Sequence, residues 1–320
     1  MKSSSSIISA EIKEFEKLFK EAVKSDVPLL DRITKYIVKT KGKQLRPMFV
    51  LLSAKLCGNI NDSTYRAASL VELLHTATLV HDDVVDEAAE RRGFFSTYAL
   101  WKNKASVLVG DYLLAKGLLL SLENDDFKIL QILADAVKKM SEGELLQLEK
   151  SRLLNINEED YFTIIRNKTA SLLASACSAG SFSSTKDLAI AEKMRQFGEY
   201  TGIAFQIKDD LFDYGSDDVG KPTGNDIKEK KMTLPLIYTL EKTTPSNKKT
   251  IINIIKNKNK SRSDIETVIR LVNDAGGIIY ASEKMVEYKE KAEKVLFEFP
   301  ASEARDALFE MLHFTTERKK

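Results

Sequence analysis

Residues 62–86 read DSTYRAASLVELLHTATLVHDDVVD, a long apolar-periodic stretch that ends in the acidic pattern Asp-Asp-x-x-Asp. The same pattern ends a second apolar-periodic stretch, at residues 209–213. Like charges four residues apart destabilise a helix, so two such clusters indicate that positive charge lies between them. Magnesium usually takes one or two carboxylates and completes its shell with water and substrate phosphates. The motifs therefore predict a phosphate-bearing substrate bound through Mg²⁺ by the carboxylates of Asp82, Asp83, Asp86, Asp209, Asp210 and Asp213.

The composition is that of a globular protein with few turns. Of the 320 residues, 43% are hydrophobic and 30% are charged, but only 6 are proline and 14 are glycine, which favours long helices. The net charge of +2 argues against a nucleic-acid binder, whose surface is strongly basic. No stretch approaches the roughly 18 uninterrupted apolar residues of a membrane span, and we recognise no signal peptide. We expect a cytoplasmic protein without a membrane span.

Apolar residues recur at helical spacing along almost the whole chain, and no stretch alternates as a strand would. The longest polar loop of the second half covers residues 214–229. Helices with short connections predict an all-α bundle. The expected helices cover about 8–24, 28–40, 47–57, 62–86, 104–122, 126–149, 158–180, 187–213, 230–242, 247–257, 262–274, 277–297 and 302–316.

One face of the first acidic helix carries candidates for both anion and metal binding. At 100° per residue, His75, Asp82 and Asp86 fall within about 40° of one another. The aspartates can hold metal while His75 reaches a second anion. Arg91 and Arg92 follow, and guanidinium groups bind phosphate oxygens in a bidentate manner. A solvated acidic helix end with a satisfied core histidine is the alternative for this motif taken alone.

The second acidic helix has a comparable face and a basic loop behind it. Gln206, Asp209 and Asp213 recur at three- and four-residue steps. Lysine on the polar loop at 220–226 can close over a bound diphosphate. A single lysine is more often a surface residue than a ligand. The prediction that these lysines bind diphosphate therefore depends on their occurring together with the acidic motif. The basic and hydroxyl side chains of this set are Lys168, Thr169, Lys221 and Lys231.

These motifs resemble those of the trans-isoprenyl diphosphate synthases, the polyprenyl synthetase family, and in particular its long-chain (octaprenyl-type) members. The family's GGKRxRP motif occurs as residues 41–47, with Lys41 and Gln44 at two altered positions. Its ELxHxAxLxHDDxxD stretch and the following RRG match residues 72–93. GxxFQxxDDxxD matches residues 202–213, and the GK and KxTLP elements follow by residue 235. The resemblance covers about residues 38–240.

The resemblance implies one domain over residues 1–320, a single large helical bundle around a central cavity known as the isoprenoid synthase fold. It implies an enzyme that joins isopentenyl diphosphate to an allylic diphosphate, and it implies a homodimer. By resemblance, isopentenyl diphosphate would be held by Lys43, Arg46, His75 and Arg92. Mg²⁺ would be ligated by Asp82, Asp86 and Asp209, with Asp83, Asp210 and Asp213 close by. The allylic side would be supported by Arg91, Lys168, Thr169, Gln206, Lys221 and Lys231.

Product length is expected to depend on the residues just before the first acidic motif. In the family, bulky aromatic residues there stop elongation early. Ala77 and Thr78 are small, and Thr78 lies about 40° from Asp82 on the helix. We expect a long all-trans product, between hexaprenyl and decaprenyl, whose lipid-like chain is passed to the membrane. Ordinary packing at both positions, with a deeper aromatic setting the limit, is the alternative.

Four other functions compete with this interpretation. A short-chain (farnesyl or geranylgeranyl) synthase differs only in product length. A terpene cyclase would lack the second Asp-Asp-x-x-Asp motif and the residues that bind isopentenyl diphosphate. A non-catalytic subunit of a heteromeric synthase would be expected to lose acidic motifs, and both are intact. A metal phosphohydrolase would need more histidines than the 3 in this chain.

Overall fold

The computed structural model describes residues 6–40, 42, 44–91, 93–215 and 224–317, apart from the side chains of residues 91, 152 and 153. Within these ranges the chain is predominantly helical, which confirms the predicted all-α class. The helices are α1 (Ser9–Ala22), α2 (Pro28–Lys39), α3 (Leu45–Cys57), α4 (Asp62–Val85), α5 (Thr97–Leu122), α6 (Phe127–Leu153), α7 (Glu158–Ile165), α8 (Ser171–Thr185), α9 (Leu188–Phe212), α10 (Asn225–Lys228), α11 (Leu234–Lys242), α12 (Pro245–Lys256), α13 (Arg262–Asp274), α14 (Gly277–Phe297) and α15 (Glu303–Glu317).

Several details differ from the expected elements, including a four-residue helix, α10, within the expected loop 214–229 and a start of α11 at Leu234, where the helix was expected from about residue 230. A two-residue antiparallel pair, β1 (Glu90–Arg91) with β2 (Phe94–Phe95), follows α4, although no strand was expected. Helix α5 begins at Thr97, seven residues before the expected start near residue 104. It is kinked at Lys102, where φ is 65°, so the expected start corresponds to the part of the helix after the kink. The single helix expected over 158–180 is divided by a π-helical turn at Arg166–Ala170. Such short departures leave apolar periodicity intact, so periodicity cannot reveal them.

The chain divides into two compact units. The first comprises the described residues up to Val137, with Leu172–Arg195 and Phe299–Glu310. Helix α4 contributes a long buried stretch to this unit, because its residues from Ala67 to His75 are all buried. Helix α5 packs along α4 at Gly110 and Gly117, where a Cβ atom would lie 2.1 Å from His81 Nε2 or 2.7 Å from Leu70 Cδ1. A larger residue at either glycine would therefore have to displace the His81 or Leu70 side chain from between these helices.

Helix α4 delivers the first acidic motif at its C-terminal end. It begins with a capping box, in which the Asn61 side chain accepts from Thr64 N–H and Thr64 Oγ1 accepts from Asn61 N–H. Its 24 residues extend over roughly 36 Å. The last turn closes with a 2.8 Å bond from Asp86 N–H to the Asp82 carbonyl.

The second unit comprises Lys138–Ser171, Gln196–Glu298 and the described residues from Met311. Its apolar core includes Ile164, Ile203, Ile207, Leu234, Ile237 and Val268. Helix α9 carries the second acidic motif at its C-terminal end, as α4 does for the first. Thr233 precedes α11, whose second residue is Pro235, so the KxTLP segment forms the entry to a helix and not its interior.

Helix α5 is the one described helix that is long and apolar enough to cross a membrane, by length and composition alone. Its mean hydropathy reaches 1.5 over 18 residues, of which 33% are buried. The apolar character comes partly from an exposed stripe that includes Val107, Leu108, Leu118, Leu119 and Leu122. Thus this helix has one face packed against α4 and a second apolar face that the described residues leave exposed.

Candidate active site

In the first unit, two residues predicted to bind isopentenyl diphosphate are in direct contact. Arg46 Nη1 lies 2.9 Å from His75 Nε2. Guanidinium can only donate, so His75 Nε2 is the acceptor of this hydrogen bond. Arg46 lies in the first turn of α3 and His75 in the middle of α4, so the packing of these two helices forms the pair.

The first acidic motif continues the face of α4 that carries His75. His75 and Asp82 are seven residues apart, which corresponds to about 10 Å along a helix. Asp83 is buried, Asp82 is half-buried and Asp86 is exposed. A cavity of about 80 Å³, enough for two or three water molecules, is lined by His75 and Asp83 among others. The carboxylates that the sequence assigns to metal are thus the more accessible members of the motif.

The two residues predicted to influence product length lie on the same helix. Ala77 is fully buried, and Thr78 is half-buried. Thr78 Oγ1 donates to the His75 carbonyl over 2.9 Å, so its hydroxyl is satisfied within the helix. A larger side chain at Ala77 would have to displace buried neighbours.

In the second unit, Asp210 is the centre of a buried polar network. Tyr161 Oη donates to its Oδ2 over 2.8 Å, and Gln206 Nε2 donates to its Oδ1 over 2.9 Å. Lys231 Nζ lies 3.3 Å from the same Oδ1. Thr169 Oγ1 donates to Gln206 Oε1 over 2.9 Å, which extends the network. Three residues predicted for the allylic side, Thr169, Gln206 and Lys231, are therefore linked through one carboxylate.

The other two aspartates of this motif have different surroundings. Asp209 is exposed. Asp213 accepts from the backbone N–H groups of Asn225 and Asp226 over 2.8 and 3.0 Å, so it joins the end of α9 to the start of α10. Burial raises the pKa of Asp213, although these backbone hydrogen bonds oppose the shift. Asp213 therefore has a structural role at the two helix ends in addition to its predicted place in the acidic motif.

Charges in the network are strongly coupled. Burial raises the pKa of Asp226 to about 7, with Lys231 opposing the shift and Asp210 and Asp213 adding to it. Burial alone would lower the pKa of Lys231, but the carboxylates of Asp210 and Asp226 raise it above its ordinary value. Burial and the neighbouring charge of Asp210 raise the pKa of Tyr161. Lys231 therefore stays cationic and Tyr161 stays a hydrogen-bond donor at neutral pH.

The π-helical turn Arg166–Ala170 presents Lys168 and Thr169. Glycines adjoin this turn from two other helices. A Cβ atom on Gly143 would lie 2.9 Å from Lys168 N, and one on Gly202 would lie 2.6 Å from Ala170 Cα. Lys168 Nζ forms an ion pair with Glu144 and lies 3.4 Å from Gln147 Oε1. Single π turns inside α-helices often occur at functional sites, and this one places a cation and a hydroxyl side by side.

Some predicted site residues receive no structural account. Lys43, Arg92 and Lys221 lie outside the described residues, and for Arg91 only the backbone is described, as part of β1. The roles predicted for these four residues stay predictions.

The described carboxylates suit a hard divalent cation that is completed by a ligand. No group of three or more His, Cys, Asp or Glu residues in the described part of the chain could hold a metal ion by itself. Magnesium does not require such a group, because it is commonly bound by one or two carboxylates with substrate phosphates and water. Exposed Asp86 and Asp209 and half-buried Asp82 have the donor chemistry and access for this mode.

Several residues in these contacts were not predicted. Four residues contact predicted site residues although their sequence context is that of an ordinary amphipathic helix or helix start. They are Tyr161, Asp226, Glu144 and Gln147. Tyr161 precedes Lys168 by seven residues, a helical repeat that places both near one face. That spacing is the only signal in the sequence that could have indicated its role.

Comparison with known proteins agrees with these motifs. The family model described as "Polyprenyl synthetase" matches residues 27–272. The octaprenyl diphosphate synthase of Escherichia coli (strain K12) is 35% identical over 302 residues, covering 94% of this chain and 93% of that protein. The crystal structure of a polyprenyl synthase from Caulobacter crescentus CB15, complexed with calcium and isoprenyl diphosphate, has a TM-score of 0.91 and 35% identity. That similarity covers 100% of this chain and 98% of the other.

Relatives with other printed functions match as well. The heptaprenyl diphosphate synthase component 2 of Bacillus subtilis (strain 168) is 32% identical, covering 98% of this chain and 90% of that protein. A geranylgeranyl diphosphate synthase of Saccharolobus solfataricus is also 32% identical, covering 94% of both chains. The family is common to all of them, whereas product length and assembly differ. With its ordered motifs and this coverage, the chain belongs to the polyprenyl synthetase family, and it is a prenyltransferase.

Proposed function

We propose that this prenyltransferase is an Mg²⁺-dependent synthase of a long-chain all-trans polyprenyl diphosphate, of the type used for quinone side chains. The observation that carries the proposal lies on α4. His75, which pairs with Arg46 of α3, precedes Asp82 on this helix by about 10 Å and Asp86 by about 16 Å. A basic pair can bind one diphosphate directly, whereas carboxylates need a divalent cation to bind another. This arrangement favours two diphosphate substrates with different modes of binding.

The reaction follows from these charges. Isopentenyl diphosphate binds to Arg46 and His75, together with Lys43 and Arg92. Asp82, Asp86 and Asp209 would hold Mg²⁺, and the bound metal would supply electrostatic stabilisation for the departing diphosphate. Lys168 and Lys231 would add positive charge on the allylic side once they exchange their present carboxylate partners for phosphate oxygens.

Bond making and breaking then balance within the two substrates. The allylic carbon–oxygen bond breaks, and its electron pair leaves with the diphosphate. The double bond of isopentenyl diphosphate attacks the cation-like carbon, and the released diphosphate takes the proton lost in restoring a double bond. The protein's part is to bind, orient and exclude water, which would otherwise quench the cation.

A long product is favoured by the small residues before the first acidic motif. Ala77 and Thr78 leave α4 without an aromatic side chain at these positions. Octaprenyl synthases are among the similar proteins, which points the same way. A short product is the second candidate, because the geranylgeranyl diphosphate synthase is nearly as similar to this chain as the octaprenyl diphosphate synthase is.

A homodimer is the assembly that best explains α5. The exposed residues Val107, Leu108, Leu118, Leu119 and Leu122 fall within a helical arc of about 120°. A second copy of the chain can cover this face with the same face of its own, as in most symmetric dimers. We therefore expect a cytoplasmic homodimer in which α5 is buried against its partner and not in lipid. One similar protein is named as component 2 of a heptaprenyl diphosphate synthase, so a heteromer is the competing assembly.

Incubation of the purified chain alone tests the function. The assay supplies isopentenyl diphosphate, farnesyl diphosphate and Mg²⁺, and the extracted products are sized. We expect products between hexaprenyl and decaprenyl diphosphate, and none when the metal is removed with a chelator. Products that stop at geranylgeranyl diphosphate would establish the short-chain alternative. A complete lack of product would favour a subunit that requires a second component.

A further inference from the structure

Tyr161 has no role in the reaction proposed above, yet it contacts the second acidic motif directly. It lies on α7, is only 3% exposed, and packs edge-to-face against Phe162 with ring centroids 5.4 Å apart. Its ring belongs to the apolar core of the second unit. A buried ring fixes the position of its hydroxyl, because the side chain has few alternative rotamers.

The two oxygens of Asp210 are bound unequally. Gln206 Nε2 and Lys231 Nζ both approach Oδ1, at 2.9 and 3.3 Å. Tyr161 donates to Oδ2 over 2.8 Å. The first two donors are themselves predicted substrate-binding residues on long, flexible side chains with several rotatable bonds, whereas the Tyr161 ring is packed into the core. The tyrosine hydroxyl is therefore the fixed point against which the carboxylate is oriented.

The orientation of Asp210 propagates to the residues predicted to bind the allylic substrate. Gln206 donates to Asp210, so its amide oxygen faces Thr169 Oγ1 and accepts a hydrogen bond of 2.9 Å. Lys231 is shared between Asp210 and Asp226, each at 3.3 Å. A rotated carboxylate would change both partnerships together. Charged hydrogen bonds in buried networks are strong, and their effects are not additive.

We propose that Tyr161 is a positioning residue for prenyl transfer, acting through Asp210 to hold Thr169, Gln206 and Lys231 in the arrangement that binds the allylic diphosphate. The proposal rests on the function proposed above only in taking these residues as the allylic side. It assigns no contact between Tyr161 and substrate.

The test is Tyr161→Phe, which removes one oxygen atom and keeps the ring. The Michaelis constants of both substrates are measured, with binding of a non-reacting allylic thiodiphosphate in the presence of Mg²⁺. Because the lost bond is to a charged group, we expect analogue binding to weaken by about tenfold or more. The Michaelis constant for isopentenyl diphosphate should stay within about twofold, and thermal unfolding should remain cooperative.

Tyr280→Phe is the matched control. Tyr280 also donates to a carboxylate, with Glu158 Oε1 and Oε2 both at 2.8 Å, but this pair has no contact with Asp210 in the described structure. This variant should bind the analogue as the wild type does. An equal loss in both variants would show that any tyrosine–carboxylate bond matters only for general stability, and would overturn the proposal.

A double-mutant cycle with Asp210→Asn identifies the route of the effect. If Tyr161 acts through the carboxylate, Tyr161→Phe should weaken analogue binding much less in the Asp210→Asn background than in the wild type. An undiminished effect in that background would contradict the proposal, as would wild-type binding by Tyr161→Phe itself. If the protein does not make a long-chain product, the product assay on the wild-type chain will show it. The comparison of analogue binding between the wild type and Tyr161→Phe does not depend on that result.

Discussion

Arg46 donates to His75 Nε2 across 2.9 Å, which joins two residues 29 positions apart in the chain. Both are predicted to hold isopentenyl diphosphate. Because guanidinium only donates, Nε2 of the histidine is the acceptor in this pair. The pair therefore places a permanent cation beside the histidine that is predicted to hold the same diphosphate.

Arg46→Lys tests the importance of the guanidinium at this position. Lysine keeps the charge but cannot reproduce the planar array of donors. We expect the Michaelis constant for isopentenyl diphosphate to rise about tenfold, with a smaller change for the allylic substrate. Arg262→Lys is the control, because Arg262 is exposed and pairs only with Glu266 one turn away in the described structure. Equal kinetics for both variants would contradict the assigned role of Arg46.

Asp86→Asn should separate stability from activity. Asp86 caps the C-terminal end of α4, where a negative charge is opposed by the helix dipole. Its removal should raise the free energy of unfolding by about 0.3–1 kcal/mol. Activity should fall about a hundredfold or more, because a metal ligand is lost.

Asp62→Asn is the control at the other end of the same helix. Asp62 lies in the first turn of α4, where the dipole favours a negative charge. This variant should be slightly less stable and fully active. Denaturant unfolding and steady-state kinetics distinguish the two variants, and a more active or less stable Asp86→Asn would refute the prediction.

Substitutions before the first acidic motif should shorten the product. Ala77→Phe places a ring where no space is available, so it should also cost about 1–3 kcal/mol of stability. Thr78→Phe is the companion variant, since Thr78 is half-buried and better able to accept the ring. Thr267→Phe is the control, because Thr267 is also a half-buried helical threonine bonded to its own helix. Chromatography of the products checks this prediction, and unchanged lengths for both variants would reject it.

Charges on the exposed face of α5 should disrupt the homodimer. Leu108→Glu and Leu119→Glu each place a carboxylate on an exposed apolar stripe. Sedimentation should show a dimer for the wild type and monomers for the double variant. Leu188→Glu is the control, since Leu188 is 57% exposed and Leu108 is 60% exposed, but Leu188 lies on α9. Dissociation of all variants alike, or a monomeric wild type, would contradict the proposed interface.

The raised pKa of Asp226 predicts a pH-dependent gain in stability for Asp226→Asn. The folded pKa is about 7 and the ordinary value is 3.8, so the neutral form favours folding. Its stabilising contribution is complete below about pH 4 and is lost as the pH rises through 7. Asparagine stays neutral throughout, so the metal-free variant should be more stable than the wild type at pH 8 and no more stable at pH 4.

Asp264→Asn provides a control of opposite sign. The backbone and side chain of Ser261 lower the pKa of Asp264, so its charged form favours folding. This variant should lose stability at both pH 8 and pH 4, because the contribution of Asp264 is lost only as the pH falls below 3.8 and through its lowered folded pKa. Denaturant titrations at both pH values measure these differences. A gain for Asp226→Asn that does not change with pH would contradict the cause assigned here.

The sequence predicts the helices well because apolar residues recur at the helical period over long segments. It does not predict the π turn that presents Lys168 and Thr169, since this turn depends on the missing side chains of Gly143 and Gly202 on other helices. The sequence also groups Asp209 with Gln206 by spacing. Tertiary packing instead bonds Gln206 to Asp210, because Tyr161 and Lys231 meet that carboxylate.

The most direct measurement is diffraction from crystals grown with Mn²⁺ and a non-reacting allylic thiodiphosphate, with anomalous scattering used to place the metal. We expect metal ions coordinated by carboxylate oxygens of Asp82, Asp86 and Asp209 and by oxygens of the same diphosphate. Metal bound at only one acidic motif, or a diphosphate bound without metal, would contradict this expectation.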